Sequence, residues 1–394
     1  METTIEAVGP ITEIAREKIN SMSALRVARH FMTVRKNVGV LDLADFLQDR
    51  DDAVVIAVVD DGGTYEGLIV REKLFAFVGK PFGRDVLRRS LIAEIAEAKP
   101  AFDANADLFT IAQKVREETA GSDPLGDYFA LIDGSGKFKG TLSRQDLSDY
   151  LARMTEDDIA LAGRLQERIL SGADLSAGHG RRMEAWSRSA KGVGGDFYYS
   201  RALADGRTFA ALCDVSGKGV AAALIVSLVW GILGMYDFSR GLRGLIAALN
   251  DSLLETFQTE KYLTGFFFLF DPSRRKLIFA DMGHSHVILI RGAKAAKLKG
   301  KNLNLPIGVE AQIEIAVQAV RLHPGDVLAA YSDGICEQQN EAEEEYGEGR
   351  LIKVLIEAIG RGGNLAEAIP LSVDSFRGRV PQQDDMSIIA LAVG

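Results

Sequence analysis

The stretch FAALCDVSGKGVAAAL, residues 209–224, changes character at one residue. The apolar run Phe209 to Cys213 ends on Asp214, Gly217 and Gly219 follow, and a second apolar series starts at Val220. This pattern reads as a buried strand, a glycine turn and a long helix, with a carboxylate at the hinge between them. GDVLAAYSDGICE, residues 325–337, repeats the arrangement, with a strand running into Asp333 and Gly334. GVGGDFYYS, residues 192–200, sets Asp196 behind two glycines, and PQQDDMSIIALAV, residues 381–393, sets Asp384 and Asp385 ahead of the last apolar strand. A strand end fixes a carboxylate in space, and a neighbouring glycine lets backbone and solvent come close. One such aspartate is ordinarily a turn or cap residue. Four in the same setting point to convergence, and converging carboxylates repel unless a cation neutralises them. Oxygen donors with water suit Mg²⁺ or Mn²⁺, whereas zinc favours His and Cys. None of the 5 histidines has a metalloprotease or finger spacing.

A chain of 394 residues exceeds one ordinary core and suits two or three domains. The net charge of −9, from 46 Lys+Arg against 55 Asp+Glu, argues against general binding of nucleic acid or anionic membrane. Two cysteines, Cys213 and Cys336, make neither a disulfide framework nor a zinc site, which fits a reducing cytoplasm. The opening METTIEAVGPITE lacks the basic-then-apolar pattern of a signal peptide. The uncharged segment GVAAALIVSLVWGILGMY, residues 219–236, is near the lower length for a membrane span but has internal glycines and no basic flanks, so a buried helix is expected.

Residues 11–30 read as a solvent-facing helix. A unit then appears twice, as AVVIAVVDDGGTYEGLIVREKL (53–74) and DYFALIDGSGKFKGTLSRQDL (127–147), with Gly67/Gly140 and Asp60/Asp133 both 73 residues apart. Each copy reads as strand, glycine turn, strand and helix, with a helical pattern upstream at Leu41 and Asp107. From Asp149 to Ser171 the residues Leu151, Met154, Leu161, Leu165 and Ile169 form a helical stripe, either a dimerising seam or a face packed on one of the domains. The small-residue segment SGADLSAGHG then marks a boundary near residue 175. The expected organisation is 1–148, a paired α/β regulatory domain with an N-terminal helix; 149–174, a helical linker; and 175–394, the carboxylate-bearing domain.

The repeated unit resembles a cystathionine-β-synthase-type (CBS) pair, a family that senses ligands, often adenine nucleotides. Its Gly-x-x-Ser/Thr-x-x-Asp signature is matched by Gly140, Ser143 and Asp146, whereas the first copy has Val70 and Lys73 in place of the hydroxyl and carboxylate. The resemblance implies one adenine-nucleotide site, at Ser143 and Asp146. The residues alone are explained by a helix cap, with Ser143 capping the helix that Asp146 enters.

The ordered series VGGDFY, DVSGKG, GH, LPIG, PGDVLAAYSDGICE, YGEGRL and DDMS, between Lys191 and Ala392, resembles the PPM (protein phosphatase 2C-like) family, nearest its SpoIIE/RsbU branch. ALAGRLQERIL, residues 160–170, is similar to the regulatory linker preceding such domains. The resemblance implies an α/β multidomain protein whose C-terminal domain is an αββα sandwich of two antiparallel sheets flanked by helices. It implies a two-metal site for Mn²⁺ or Mg²⁺ held by Asp196, Asp214 (bridging), the Val215 carbonyl, Asp333 and Asp384, with Asp385 in support. In such a site a metal-activated water attacks phosphoserine or phosphothreonine in line, without a phosphoenzyme. Cys213 reads as core, not as a nucleophile. His286 and Tyr199 depart from the usual residues without removing a ligand. His284 reads as a proton donor or as a structural histidine, and Lys191 and Lys218 as phosphate-steering or merely solvated.

The function expected is a cytoplasmic, homodimeric, metal-dependent Ser/Thr protein phosphatase of bacterial-type signalling, regulated by its N-terminal domain. Its substrate would be a phosphoprotein, the family suggesting a STAS-type anti-sigma-factor antagonist; no nucleic acid or membrane partner is expected. The alternative is an inactive scaffold of the same fold, or a ligand-sensing binding protein.

Overall fold

The computed structural model of the chain describes residues 6–15, 23–118, 127–173, 175, 181–298, 304–360 and 363–394. They fall into two compact units, Met1–Glu156 and Asp157–Gly394, and the helix Arg144–Ser171 starts in the first and ends in the second.

In the first unit the sequence repeat is a structural repeat. The first copy is strand Met32–Arg35, helix Val40–Phe46, strands Val55–Val59 and Tyr65–Val70, and helix Arg71–Val78. The second is strand Ala101–Asp103, helix Leu108–Glu118, strands Tyr128–Ile132 and Phe138–Ser143, and the helix from Arg144. In each, the short strand pairs parallel with the next, which then forms an antiparallel hairpin. The 73-residue offset holds in detail. The hairpin bulges fall at Val58/Val59 and Leu131/Ile132. Asp60 and Asp133 each accept backbone N–H groups of the turn they open. The two turns also bond reciprocally, Tyr65 N to Gly136 O and Phe138 N to Gly63 O.

The segment read as an N-terminal helix is different. Ile11–Glu13 is a strand, hairpinned with Glu6–Val8 through Gly9 at φ +66°, and Ala24–Arg26 is a single 3₁₀ turn. Ala24, Leu25, Val27 and Ala28 are buried against Phe129 and Leu142, so packing on the second copy overrides a helical spacing; residues 16–22 lie outside the described set.

The second unit is a four-layer sandwich, read off strand parity. One five-stranded sheet runs Phe197–Ala202, Thr208–Val215, Leu263–Asp271, Lys276–Met282, Gln318–Arg321. The other runs Lys294–Lys297, Val287–Arg291, Asp326–Tyr331, Met386–Val393, Arg181–Arg188; every pairing in both is antiparallel. Successive side chains of a strand face opposite ways. Ala210, Leu212, Phe266, Phe268 and Phe270 therefore meet Leu328, Ala330, Ile389 and Leu391 between the sheets. The alternate residues Phe209, Ala211 and Cys213 pack on helices Val220–Met235 and Gly241–Phe257. On the far side Val327, Ala329, Ile388 and Ala390 pack on helices Gly347–Gly360 and Leu365–Arg377. Truncating one of the fully buried inter-sheet phenylalanines, such as Phe268, to alanine removes about 3–5 kcal/mol of stability.

The uncharged 219–236 segment is the helix Val220–Met235, with Ile225, Val226, Val229 and Leu233 inside the core. Among the described residues no single helix is long and apolar enough to cross a membrane; this helix and Phe238–Phe257 pass such a test only as a pair bent by 87°.

Candidate active site

Strand parity also decides where the aspartates go. Asp214 continues the inward series Ala210, Leu212, and Ser332 continues Leu328, Ala330. Asp385 shares parity with Ser387, Ile389 and Leu391, and Asp196 with Tyr198. Where the hydrophobic core between the sheets runs out, its place is taken by carboxylates. Asp196, Asp214, Asp333, Asp384 and Asp385 line one cavity of about 350 Å³, joined by Val215, Ser332, Thr264, Lys218, His284 and His286.

Glycines make this convergence possible. A Cβ at Gly334 would stand 2.1 Å from the Asp385 carbonyl oxygen, and one at Gly195 would stand 2.7 Å from the Val215 carbonyl oxygen. Gly217 and Gly219 take φ of +94° and +79°, turning the chain from Asp214 into its helix.

The electrostatics are those of crowded anions. Asp196 is 6% exposed, and its Oδ2 is buried without a hydrogen-bond partner among the described residues. Burial first, and the neighbouring Asp214 charge second, push its carboxyl well above the ordinary carboxylate range, against a hydrogen bond from Ser332. Burial and then Asp333 push Asp214 up to about 6. Asp385 is engaged differently, accepting the backbone N–H groups of Ala190 and Gly195, each at 2.8 Å. It ties the loop before Asp196 to the strand after Asp384, which is a supporting role. Asp384 pairs with Lys218 at 2.7 Å.

The donors are carboxylates and a backbone carbonyl, with one buried oxygen unpartnered and two carboxyls that resist ionisation. That donor set fits hard divalent cations such as Mg²⁺ or Mn²⁺. The side chains share a cavity without closing on one point: among the described residues no three His, Cys, Asp or Glu groups form a ready-made cation cage. Mutual repulsion spreads unneutralised carboxylates, and Lys218 holds Asp384 to one side.

Other residues sort as follows. Cys213 is fully buried in the helix-side core, and burial raises its thiol far above the usual range, so it is no nucleophile. Tyr199 packs edge-on against Trp230 in the same core. Lys218 lines the cavity, and Lys191 stands exposed outside it. Ser332 and Thr264 were not singled out in the sequence; the inward parity of their strands is the signal that finds them. Gln166, on the helix Arg144–Ser171, was also missed. Its buried amide donates to Gly194 O at 2.7 Å and accepts from Gly194 N at 3.0 Å, clamping the loop two residues before Asp196. In the first unit, Ser143 Oγ donates to Asp146 Oδ2 at 2.6 Å and accepts from Asp146 N at 3.0 Å, a reciprocal helix cap. Asp146 also pairs with Arg29 at 2.8 Å. Ser143 lines a second cavity of about 370 Å³ with Arg71, Arg144 and Tyr128, and Asp146 does not.

Two antiparallel sheets between helix pairs, with clustered aspartates at one end of the inter-sheet core, define the PPM class of phosphatase domain. Residues 204–394 match the model of the family Stage II sporulation protein E (SpoIIE), which supports a SpoIIE-type phosphatase domain over that part of the chain. The SiaA-PP2C domain of Pseudomonas aeruginosa is 23% identical and superposes with a TM-score of 0.54 over 62% of this chain and 99% of that one, which shows the fold. The PP2C phosphatase domain with a fragment of the regulatory domain of the cell fate determinant SpoIIE from Bacillus subtilis is 23% identical, with a TM-score of 0.45 over 54% of this chain and 63% of that one. Protein IcfG of Synechocystis sp. is 22% identical over 330 residues, 76% of this chain. The chain spans about half the length of that curated relative, 50%.

Proposed function

We propose that the protein is a metal-dependent serine/threonine phosphoprotein phosphatase of bacterial-type signalling, with Asp196, Asp214, Asp333, Asp384 and the Val215 carbonyl as its metal-binding set. The convergence of these groups on one cavity, with a buried Asp196 oxygen left unpartnered, carries the reading. Two divalent cations bound there would supply Lewis acidity and lower the pKa of a bound water. The chain's own residues hold that site: Asp385 and Gln166 fix the Asp196 loop. The test is phosphate release from phosphoseryl and phosphothreonyl peptides with Mn²⁺ or Mg²⁺, compared with Asp214→Asn and Asp333→Asn. Metal-dependent release by the wild type alone supports the reading.

A phosphorylated STAS-type protein is proposed as substrate, to be tested against unrelated phosphoproteins. For the first unit a CBS-type role is proposed, with an adenine nucleotide in the cavity holding Ser143, Arg71 and Arg144; nucleotide-dependent stabilisation of the wild type but not of Arg144→Ala tests it. Homodimerisation along the helix Arg144–Ser171 is supported by Leu161 and Leu165, which are 49% and 51% exposed on one stripe. Sedimentation of Leu161→Glu/Leu165→Glu tests the dimer. That helix, through Gln166, is proposed as the regulatory connection. A cytoplasmic location is proposed from two free cysteines. The Lys218–Asp384 ion pair favours one alternative, an inactive scaffold in which lysine stands where a cation would bind. Absence of metal-dependent phosphate release from every phosphoprotein tried would establish it.

A further inference from the structure

The segment after Asp333 and the segment before Asp384 carry the same pair of residues, Gln338–Gln339 and Gln382–Gln383. The fold sets the two pairs against each other. Gln338 is 1% exposed; its Nε2 donates to the carbonyls of Gln339 at 2.9 Å and Pro381 at 3.2 Å, and its Oε1 accepts from Gln383 N at 3.3 Å. Gln383 Nε2 donates to Gln339 Oε1 at 3.1 Å, and Gln383 Oε1 accepts from Gln339 N at 3.1 Å. Gln382 reaches the other way. Its Nε2 donates to the carbonyls of Asp384 at 2.7 Å and Arg188 at 2.8 Å, and its Oε1 accepts from Arg188 Nε at 2.6 Å. Arg188 in turn holds Asp374 of the helix Leu365–Arg377 through two bonds, at 2.8 and 2.9 Å.

These bonds enclose two of the cavity's aspartates. Asp333 opens the helix Asp333–Glu337, which runs directly into Gln338, and Asp384 directly follows Gln383. On the strand side the same two segments are joined by Ser332 N donating to Ser387 O at 2.9 Å. Each aspartate is thus bracketed in sequence by ties to the other's segment. Both carboxylates line the cavity with Asp196, Asp214 and Asp385, and like charges so gathered repel. An amide both donates and accepts and brings no charge to such a place. A lysine would compete for the carboxylates, as Lys218 does for Asp384, and a further carboxylate would add to the repulsion. Burial of an amide is tolerated where its bonds are made, and those of Gln338 are all made within the two acid-bearing segments.

We infer that Gln338 and Gln383 are positioning residues, a charge-free clamp that holds Asp333 and Asp384 together, against their repulsion, for a divalent cation. This rests on the metal-binding reading above and adds to it two residues that lie outside the cavity lining.

The test is titration calorimetry of the full chain with Mn²⁺, paired with phosphate release from an aryl phosphate. Gln338→Met keeps the bulk and loses the bonds, and is expected to weaken Mn²⁺ binding by about tenfold, the usual effect of removing a group that orients a metal ligand. Gln383→Ala, at an exposed position, is expected to weaken it by about threefold, and the double variant by less than the product of the two. Saturating Mn²⁺ should return kcat in each to within about threefold of wild type, because the groups at the cavity are untouched. Ile369→Ala, a loss of packing in the helix layer, should lower Tm and leave Mn²⁺ affinity within about twofold of wild type. An active wild type whose glutamine variants bind Mn²⁺ equally well overturns the clamp alone, as does an equal loss of affinity in Ile369→Ala. If Gln338→Met does not fold, Gln383→Ala decides. A wild type that binds Mn²⁺ without releasing phosphate, while the glutamine variants bind it more weakly, overturns the hydrolase reading and supports the clamp. A wild type that binds no Mn²⁺ overturns both.

Discussion

Replacing Asp214 by asparagine should make the metal-free protein more stable at pH 8, although it removes a proposed ligand. The Asp214 carboxyl is pushed from 3.8 up to about 6, first by burial and next by the charge of Asp333. A folded-state value above the unfolded one means that the folded protein binds the extra proton. The associated stability is complete below pH 3.8 and is lost as the pH rises through about 6. At pH 8 the ionised group therefore costs about 3 kcal/mol, shrinking to about 0.5 kcal/mol at pH 4. Asparagine keeps the shape and removes the charge. For a unit of this size the gain at pH 8 corresponds to roughly 5–10 °C in Tm. The assay is calorimetry in a chelator at both pH values, following the transition that Mn²⁺ moves in the wild type. Mn²⁺ should stabilise the wild type and leave Asp214→Asn nearly unmoved. A variant no more stable than wild type at pH 8, or a gain equal at the two pH values, would refute the argument that crowded carboxylates store this cost.

Mn²⁺ affinity should fall by up to about tenfold per pH unit for each bound proton below pH 6, because protons on Asp214 and Asp196 compete with the cation; titration calorimetry between pH 5 and 8 measures the slope. Gly334→Ala drives a Cβ into the Asp385 carbonyl oxygen and should abolish phosphate release and lower Tm, whereas Gly349→Ala, with open space around it in a helix, should be neutral or stabilising by about 0.5–1 kcal/mol. Gln166→Leu strands the buried N–H and C=O of Gly194 and should cost roughly 2–4 kcal/mol in urea unfolding, together with weaker Mn²⁺ binding. Lys218→Met frees Asp384 from a half-exposed ion pair worth at most about 1 kcal/mol, so Mn²⁺ binding should tighten by up to about fivefold.

The carboxylates were legible because each stands at the end of an apolar run or beside glycine, and the sandwich was implied by the family resemblance. In the structure an aspartate that keeps the inward parity past the last apolar residue emerges at the end of the inter-sheet core. Asp214 after Leu212 and Asp385 before Ser387 obey this rule, and so does Ser332 after Ala330, which went unread because serine draws no attention in a motif. The 73-residue repeat was legible because turn chemistry, Asp60 and Asp133 gripping their own turns, is local. Contacts across the fold were not legible. Ala24 and Leu25 have helical spacing, but burial against Phe129 decides their conformation. Gln166 looks like any polar residue on an amphipathic helix until Gly194 is placed beside it. Ser143 and Asp146 matched a nucleotide signature, but a helix cap alone explained the residues, and the cap geometry is what their atoms adopt, with Asp146 further drawn to Arg29. A ligand at Ser143 must therefore compete with a hydrogen bond already made. At Asp196 the opposite holds: a buried oxygen has no bond to give up, so a cation arriving there gains contacts and relieves repulsion in the same step.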